Sequence, residues 1–194
     1  MKKLQTKMLL LSIAIVLVFT VSAQSAKVAG IYKNEKDYVN HKLSYSYECG
    51  SETGSIRVND FFGSPNIVIK IDGEKHTMRK SEIFGYQDCN NKNFRFYGGK
   101  VYEIMDTLGF YIYTTLVNQQ TQKASFPVKK YFFSTTASAA PQPLTLQQLQ
   151  AVFAANTKFR YSVAAQFTND SKLSEYDSFL HCYKIKYLFT ESLK

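Results

Sequence analysis

Residues 80–104 read KSEIFGYQDCNNKNFRFYGGKVYEI, and the folding of this stretch decides how the rest of the chain is arranged. It holds a cysteine inside an Asp-Cys-Asn-Asn run, a pair of glycines and a concentration of Tyr and Phe. Both a chemical site and the corner of a sheet use such residues. The pattern favours the sheet. EIFGYQ, NFRFYG and KVYEIM are short β-rich runs bounded by turn residues. Between them, residues 88–93 offer Asp and Asn side chains that bond to their own backbone in turns. Gly98-Gly99 supplies the positive φ that a two-residue hairpin requires. The stretch is therefore read as three strands joined by tight turns, with Cys89 a staple rather than a reagent.

Similar patterns extend in both directions. Leu43, Tyr45 and Tyr47 alternate with serines, Ile56 and Val58 with polar residues, and Ile67, Ile69 and Ile71 share one face. The last run leads into Asp72-Gly73, a strong hairpin signal, after which EKHTMRK should pair back. GFYIYTTLV and VKKYFFST follow, separated by a polar loop at 118–127. Residues 41–135 thus carry about nine short strands in an antiparallel meander able to curl toward a barrel. Ahead of them, residues 31–40 read as a helical entry capped by Asn34.

Small residues and two prolines at 136–143 read as a linker, and 144–191 as helical. Thr145 with Gln148 forms a capping box before Leu146, Leu149, Val152 and Phe153. KFRYSVAAQF reads as a second helix. Ser174 with Asp177 resembles a further cap, and Tyr176, Phe179, Leu180, Tyr183 and Tyr187 recur at helical spacing to about Glu191. Strands first and helices last give an α+β fold with C-terminal helices on one face of the sheet.

At the N-terminus, Lys2, Lys3 and Lys7 precede an apolar run at 8–21 and Val21-Ser22-Ala23. This is the pattern of a secretory signal peptide, residues 1–23, cut after Ala23, with Ala26 a second cleavage point. The run falls short of the roughly 20 apolar residues of a spanning helix. Residues 24–194 then form a single exported domain, secreted or periplasmic, with no transmembrane segment. The net charge of +9 includes the leader's three lysines. The remaining excess is scattered with no run of five like charges, which argues against a nucleic-acid partner.

Three cysteines would enter an oxidising compartment, so two can pair and one is left over. Cys49 and Cys89, both at strand ends, are the expected pair, and Cys182 the thiol on the C-terminal helix; spacing leaves the other pairings open. No metal site is expected. Asp88-Cys89-Asn90 begins like a calcium loop, but Lys92, Asn93 and Gly99 stand where ligands and the turn glycine belong. His41, His76 and His181 are far apart in sequence. There is no nucleophile elbow, no phosphate loop and no cofactor motif. Glu82, Asp88, Glu103 and Asp106 show no sign of converging.

The aromatic residues on successive strands are expected chiefly in the core and in cross-strand pairs. Where they reach a surface, Tyr86, Phe94, Phe96, Tyr97, Tyr102, Tyr111 and Tyr113 are the candidate binding residues, able to stack on an envelope polymer, a peptide or a small apolar molecule.

The pieces GIYKNEKDY, KLSYSYEC, VNDFFGS, GEKHTMRKSEIFGYQDC, FRFYGGKVYEI, YFFST, PLTLQQLQAVF and YDSF span most of residues 24–194. On these the chain resembles a group of small secreted proteins of unknown function from Gram-negative bacteria. The resemblance implies export and a single domain, and assigns no role to any residue. The expectation is a non-catalytic binding or accessory module of the periplasm or outer envelope. A β-barrel-like carrier of a small apolar ligand and a secreted hydrolase are the alternatives.

Overall fold

The computed structural model describes residues 26–58, 63–120 and 124–194. The leader, the end of the SIRVND run and the middle of the 118–127 loop lie outside them. The main sheet contains eight strands: β1 Val28–Tyr32, β2 Tyr45–Glu48, β6 Gly85–Gln87, β7 Asn93–Tyr97, β8 Lys100–Asp106, β9 Tyr111–Gln120, β10 Ser125–Ser134 and β11 Gln142–Pro143. Their spatial order is β11-β10-β9-β8-β7-β6-β1-β2, and every neighbouring pair is antiparallel. The opening stretch supplies β6, β7 and β8 at the centre. The sheet keeps two separate edges, β2 and β11, so it is not closed into a barrel. Strands β3 Ser55–Arg57, β4 Asn66–Ile71 and β5 Glu74–Arg79 leave the meander and form a small sheet of their own. The β4–β5 turn is the expected Asp72-Gly73, with φ of 49° and 89°.

Register assigns the faces. Tyr45, Ile31, Tyr86, Phe94, Glu103 and Thr114 follow one another across the sheet on one face, with the directly paired Phe96 and Val101 on the same face. At one end of this face the small sheet buries Ile67 and Ile69 against Ile31, Tyr86 and Phe96. At the other end α2 Leu146–Val152, α3 Thr157–Gln166 and α4 Lys184–Ser192 cover Phe110, Ile112 and Phe133, using Leu149, Phe159, Val163 and Ile185. The helices pack on one face, as their position after the strands implied. The opposite face is closed by a short helix, α1 Glu35–Val39, whose Tyr38 packs with Tyr32 and Ala137.

Several boundaries differ from the sequence reading, each for a local reason. Ile31 lies within strand β1 and does not begin a helix. The chain at Gly30 runs so close to β2 that a Cβ there would lie 2.3 Å from the Tyr45 carbonyl oxygen. The helix itself starts as expected, with the Asn34 side chain accepting from the Asp37 amide at 2.9 Å. Thr145 likewise caps α2 by accepting from the Gln148 amide. The C-terminal helix begins at Lys184, eight residues later than Tyr176. Asp177 Oδ1 accepts from the amides of both Phe179 and Leu180, which forms a turn in competition with a helical start. A small hairpin results, β12 Tyr176–Asp177 against β13 Cys182–Tyr183, with the Tyr176 and Tyr183 rings edge to face at 5.4 Å. Cys182 therefore lies on a strand, half-buried and free. Most of the 118–127 loop is strand, because β9 and β10 pair as far as Gln120 and Ser125.

The linker at 136–143 is pinned. On β7, Arg95 points away from Phe94 and Phe96 and is buried. Its Nη1 donates to the Ala139 carbonyl at 2.8 Å and to the Tyr113 hydroxyl at 3.1 Å, and its Nη2 to the Ser138 carbonyl at 3.0 Å. Tyr113 Oη and Ser134 Oγ lie 2.8 Å apart, and Ser134 donates to the Thr136 carbonyl.

Cys49 and Cys89 form the expected disulfide, with Cα atoms 5.6 Å apart. It closes a separation of 40 residues, for which loop entropy gives about 4 kcal/mol of stabilisation. Replacing both cysteines by alanine should lower the unfolding free energy by about that amount in urea titration. Arg95→Leu strands two carbonyls and a hydroxyl and should cost about 3 kcal/mol. Limited proteolysis should then cut within residues 136–141, and Arg95→Lys should restore only part of the loss, because an ammonium lacks the planar fork.

Candidate functional site

The seven candidate aromatic residues divide between the two faces of the sheet. Tyr97, Tyr102, Tyr111 and Tyr113 lie on the Arg95 face. Tyr111 and Tyr113 stack at 6.0 Å, Tyr102 meets Tyr113 and Phe132 edge-on, and the Arg95 guanidinium lies 5.0 Å from the Tyr97 ring. Tyr102 and Tyr113 are buried, and burial raises their phenol pKa values. The Arg95 guanidinium lies against the Tyr97 and Tyr113 rings, and Tyr97 remains exposed.

Tyr86, Phe94 and Phe96 lie on the other face. Tyr86 and Phe94 stack at 4.6 Å with planes 9° apart, and Phe96 tilts against Tyr86 at 5.7 Å. Phe96 also borders, with Tyr97 and Lys80, a cleft of about 430 Å³ near the Gly98-Gly99 turn. The stacked pair lies beneath a different opening. The β8–β9 ladder ends at Glu103↔Thr114, whereas β9 runs on to Gln120 and stays paired with β10. A shift in register between Ile104 and Asp106 precedes this parting. The result is a cleft of about 360 Å³. Tyr86, Phe94, Val101 and Val58 form its apolar lining; Glu103, Thr114, Thr115, Leu116 and Lys129 complete it. It lies on the same face as both covering layers, between the small sheet and the helices.

Electrostatically the cleft is mixed. Glu103 pairs with Lys92 at 2.7 Å, and the hydrogen bond to Glu103 raises the Lys92 pKa. Thr114 donates to the Lys130 carbonyl at 3.1 Å. No histidine borders this cleft: His41 follows α1, His76 lies on β5 against Tyr45, and His181 sits at the tip of the β12–β13 hairpin. Among the described residues no three His, Cys, Asp or Glu side chains gather as a metal site. Among the described residues the cleft offers stacking, hydroxyl and ionic contacts.

Sequence reasoning missed Arg95, Leu116 and Lys129, and weighed Glu103 only among acids that showed no sign of converging. The available signals were an arginine alternating with Phe94 and Phe96, and a β9 run longer than its neighbour β8.

Lys186 is the most perturbed cation. It is fully buried on α4, where its Nζ donates to the carbonyls of Leu108 and Phe110 and lies 3.4 Å from Asp106 Oδ1. Burial is the main cause that lowers its pKa to about 8, with Asp106 opposing. A lysine so perturbed in a cleft would suggest catalysis. Here it is sealed beneath the helix and ties α4 to the β8–β9 turn.

No family model matches the chain, and no curated protein or solved structure matches it. The class is thus defined by its own geometry: an open antiparallel sheet with two separate covers on one face and a cleft between them.

Lys186 makes stability depend on pH. The folded protein releases this proton near pH 8, whereas the unfolded chain holds it to 10.5. Between those values the unfolded state binds more protons, so stability rises with pH, by about 2 kcal/mol up to pH ~10. Above that, tyrosines such as Tyr38, whose pKa burial raises, reverse the trend. Urea midpoints measured from pH 7 to 10 should show the rise, and Lys186→Met should flatten it.

Proposed function

We propose that this protein is an exported, non-catalytic binding module that receives a short extended peptide in the cleft between β8 and β9. The parting of these two strands carries the reading. It leaves the 115–120 edge of β9 without a β8 partner beside a floor of stacked Tyr86 and Phe94. An extended chain can add to a free strand edge through main-chain hydrogen bonds, while adjacent pockets select its alternate side chains. Val101 and Leu116 would take an apolar side chain, and Glu103 and Lys129 would select polar neighbours. The Cys49–Cys89 disulfide supports export, because such bonds persist in oxidising compartments.

The carrier alternative loses support from the open sheet. The hydrolase alternative loses support because none of the three histidines borders this cleft.

The test is an NMR titration of the disulfide-bonded protein with short peptides of alternating apolar and charged residues. Shifts should cluster at Val101, Thr114, Thr115 and Leu116. Leu116 is 69% exposed, so Leu116→Lys should leave the thermal midpoint unchanged and weaken binding about tenfold or more. Shifts confined to other surfaces, or none with any peptide, would remove the proposal.

A further inference from the structure

Between Asp106 and Asp170 the chain contains no acidic residue, while Lys123, Lys129, Lys130, Lys158 and Arg160 all fall in that interval. The scattered charge of the whole sequence conceals this asymmetry. The fold turns part of the interval into a projecting arm. Residues 115–120 of β9 and 125–130 of β10 pair only with each other, since β8 stops at Thr114 and β11 reaches only Phe132 and Phe133. Period-two alternation places Phe126, Val128 and Lys130 on one side of the arm, with Val117 opposite Val128. Phe126 is 44% exposed. Four residues of strand separate it from Lys130, or about 13 Å.

At the root of the arm lies a cleft of about 690 Å³, larger than the cleft beside β8. Val117, Phe132 and Pro143 give it an apolar lining, and Lys100, Lys129 and Lys130 contribute cations. The acid that borders it, Asp170, accepts from the Leu146 amide at 2.8 Å and so is engaged in holding α2. An apolar lining with three ammonium groups suits an amphiphile with an anionic head. An exposed phenylalanine ahead of the lysines suits a surface whose charge lies above its hydrocarbon.

We propose that the β9–β10 arm and the cleft at its root dock on a membrane carrying anionic phospholipid. Lys100 and Lys130 hold phosphate headgroups, and Phe126 enters the boundary between headgroups and acyl chains. Such docking combines buried apolar area with electrostatic attraction and weakens with salt. The committed partner is the lipid surface; a soluble polyanion is the competing outcome.

The experiment is co-sedimentation of the disulfide-bonded protein with phosphatidylcholine vesicles, with and without phosphatidylglycerol. Binding should require phosphatidylglycerol and disappear near 1 M salt, where the screening length is about 3 Å. Lys100→Gln with Lys130→Gln should weaken it about twenty-five-fold, since each lysine near such a surface contributes about fivefold. Phe126→Ser should weaken it with both lysines intact, and all variants should keep the parent thermal midpoint. Equal binding to pure phosphatidylcholine overturns the proposal, as does no binding to either. So does binding to soluble polyphosphate as tight as to vesicles and indifferent to Phe126→Ser.

Discussion

A single buried guanidinium organises this molecule. Arg95 lies in β7, near the middle of the main sheet, among neutral partners: two carbonyls, a phenol and three aromatic rings. A cation removed from water must recover its hydration from somewhere. The carbonyls of Ser138 and Ala139 provide it, and doing so holds the chain across the sheet as it leaves β10. Held there, residues 142–143 reach the outer edge as β11, and α2 starts directly afterwards on the opposite face. The Ser134–Thr136 hydrogen bond and the burial of Ala137 against Tyr32 and Tyr38 hold the same segment to the Arg95 face.

Lys186 performs the equivalent task at the other end. It brings α4 onto the β8–β9 turn, and its ammonium replaces water at the carbonyls of Leu108 and Phe110. Both cations are held mainly by backbone oxygen, and both join an irregular segment or helix to the sheet. Hydrophobic burial favours contact between layers and is indifferent to direction. These polar contacts select one arrangement among many of similar apolar area.

The strands were largely legible because alternation and turn chemistry are local. Asp72-Gly73 and Gly98-Gly99 needed no distant information. The C-terminal reading failed where two local signals competed. Tyr176, Phe179, Leu180 and Tyr183 match a helical stripe, yet the Asp177 carboxylate captures two amides at once and leaves Phe179 89% exposed. The departure of β3–β5 into a separate sheet, and the division of Tyr86 from Tyr102 onto opposite faces, depend on strand order in space. No spacing in one sequence encodes that order. The candidate site was legible only in part: Tyr86 and Phe94 line the cleft, while Leu116 and Lys129 enter it because β9 outruns β8.

The disulfide has a consequence that reaches past its contribution to stability. Cys49 lies just beyond the edge strand β2, and Cys89 in the turn between β6 and β7. The covalent loop they close contains the whole of the small sheet. Nicking the backbone once inside that loop would sever the peptide chain without releasing either half. Cut there, the small sheet would stay covalently tethered to the body it covers.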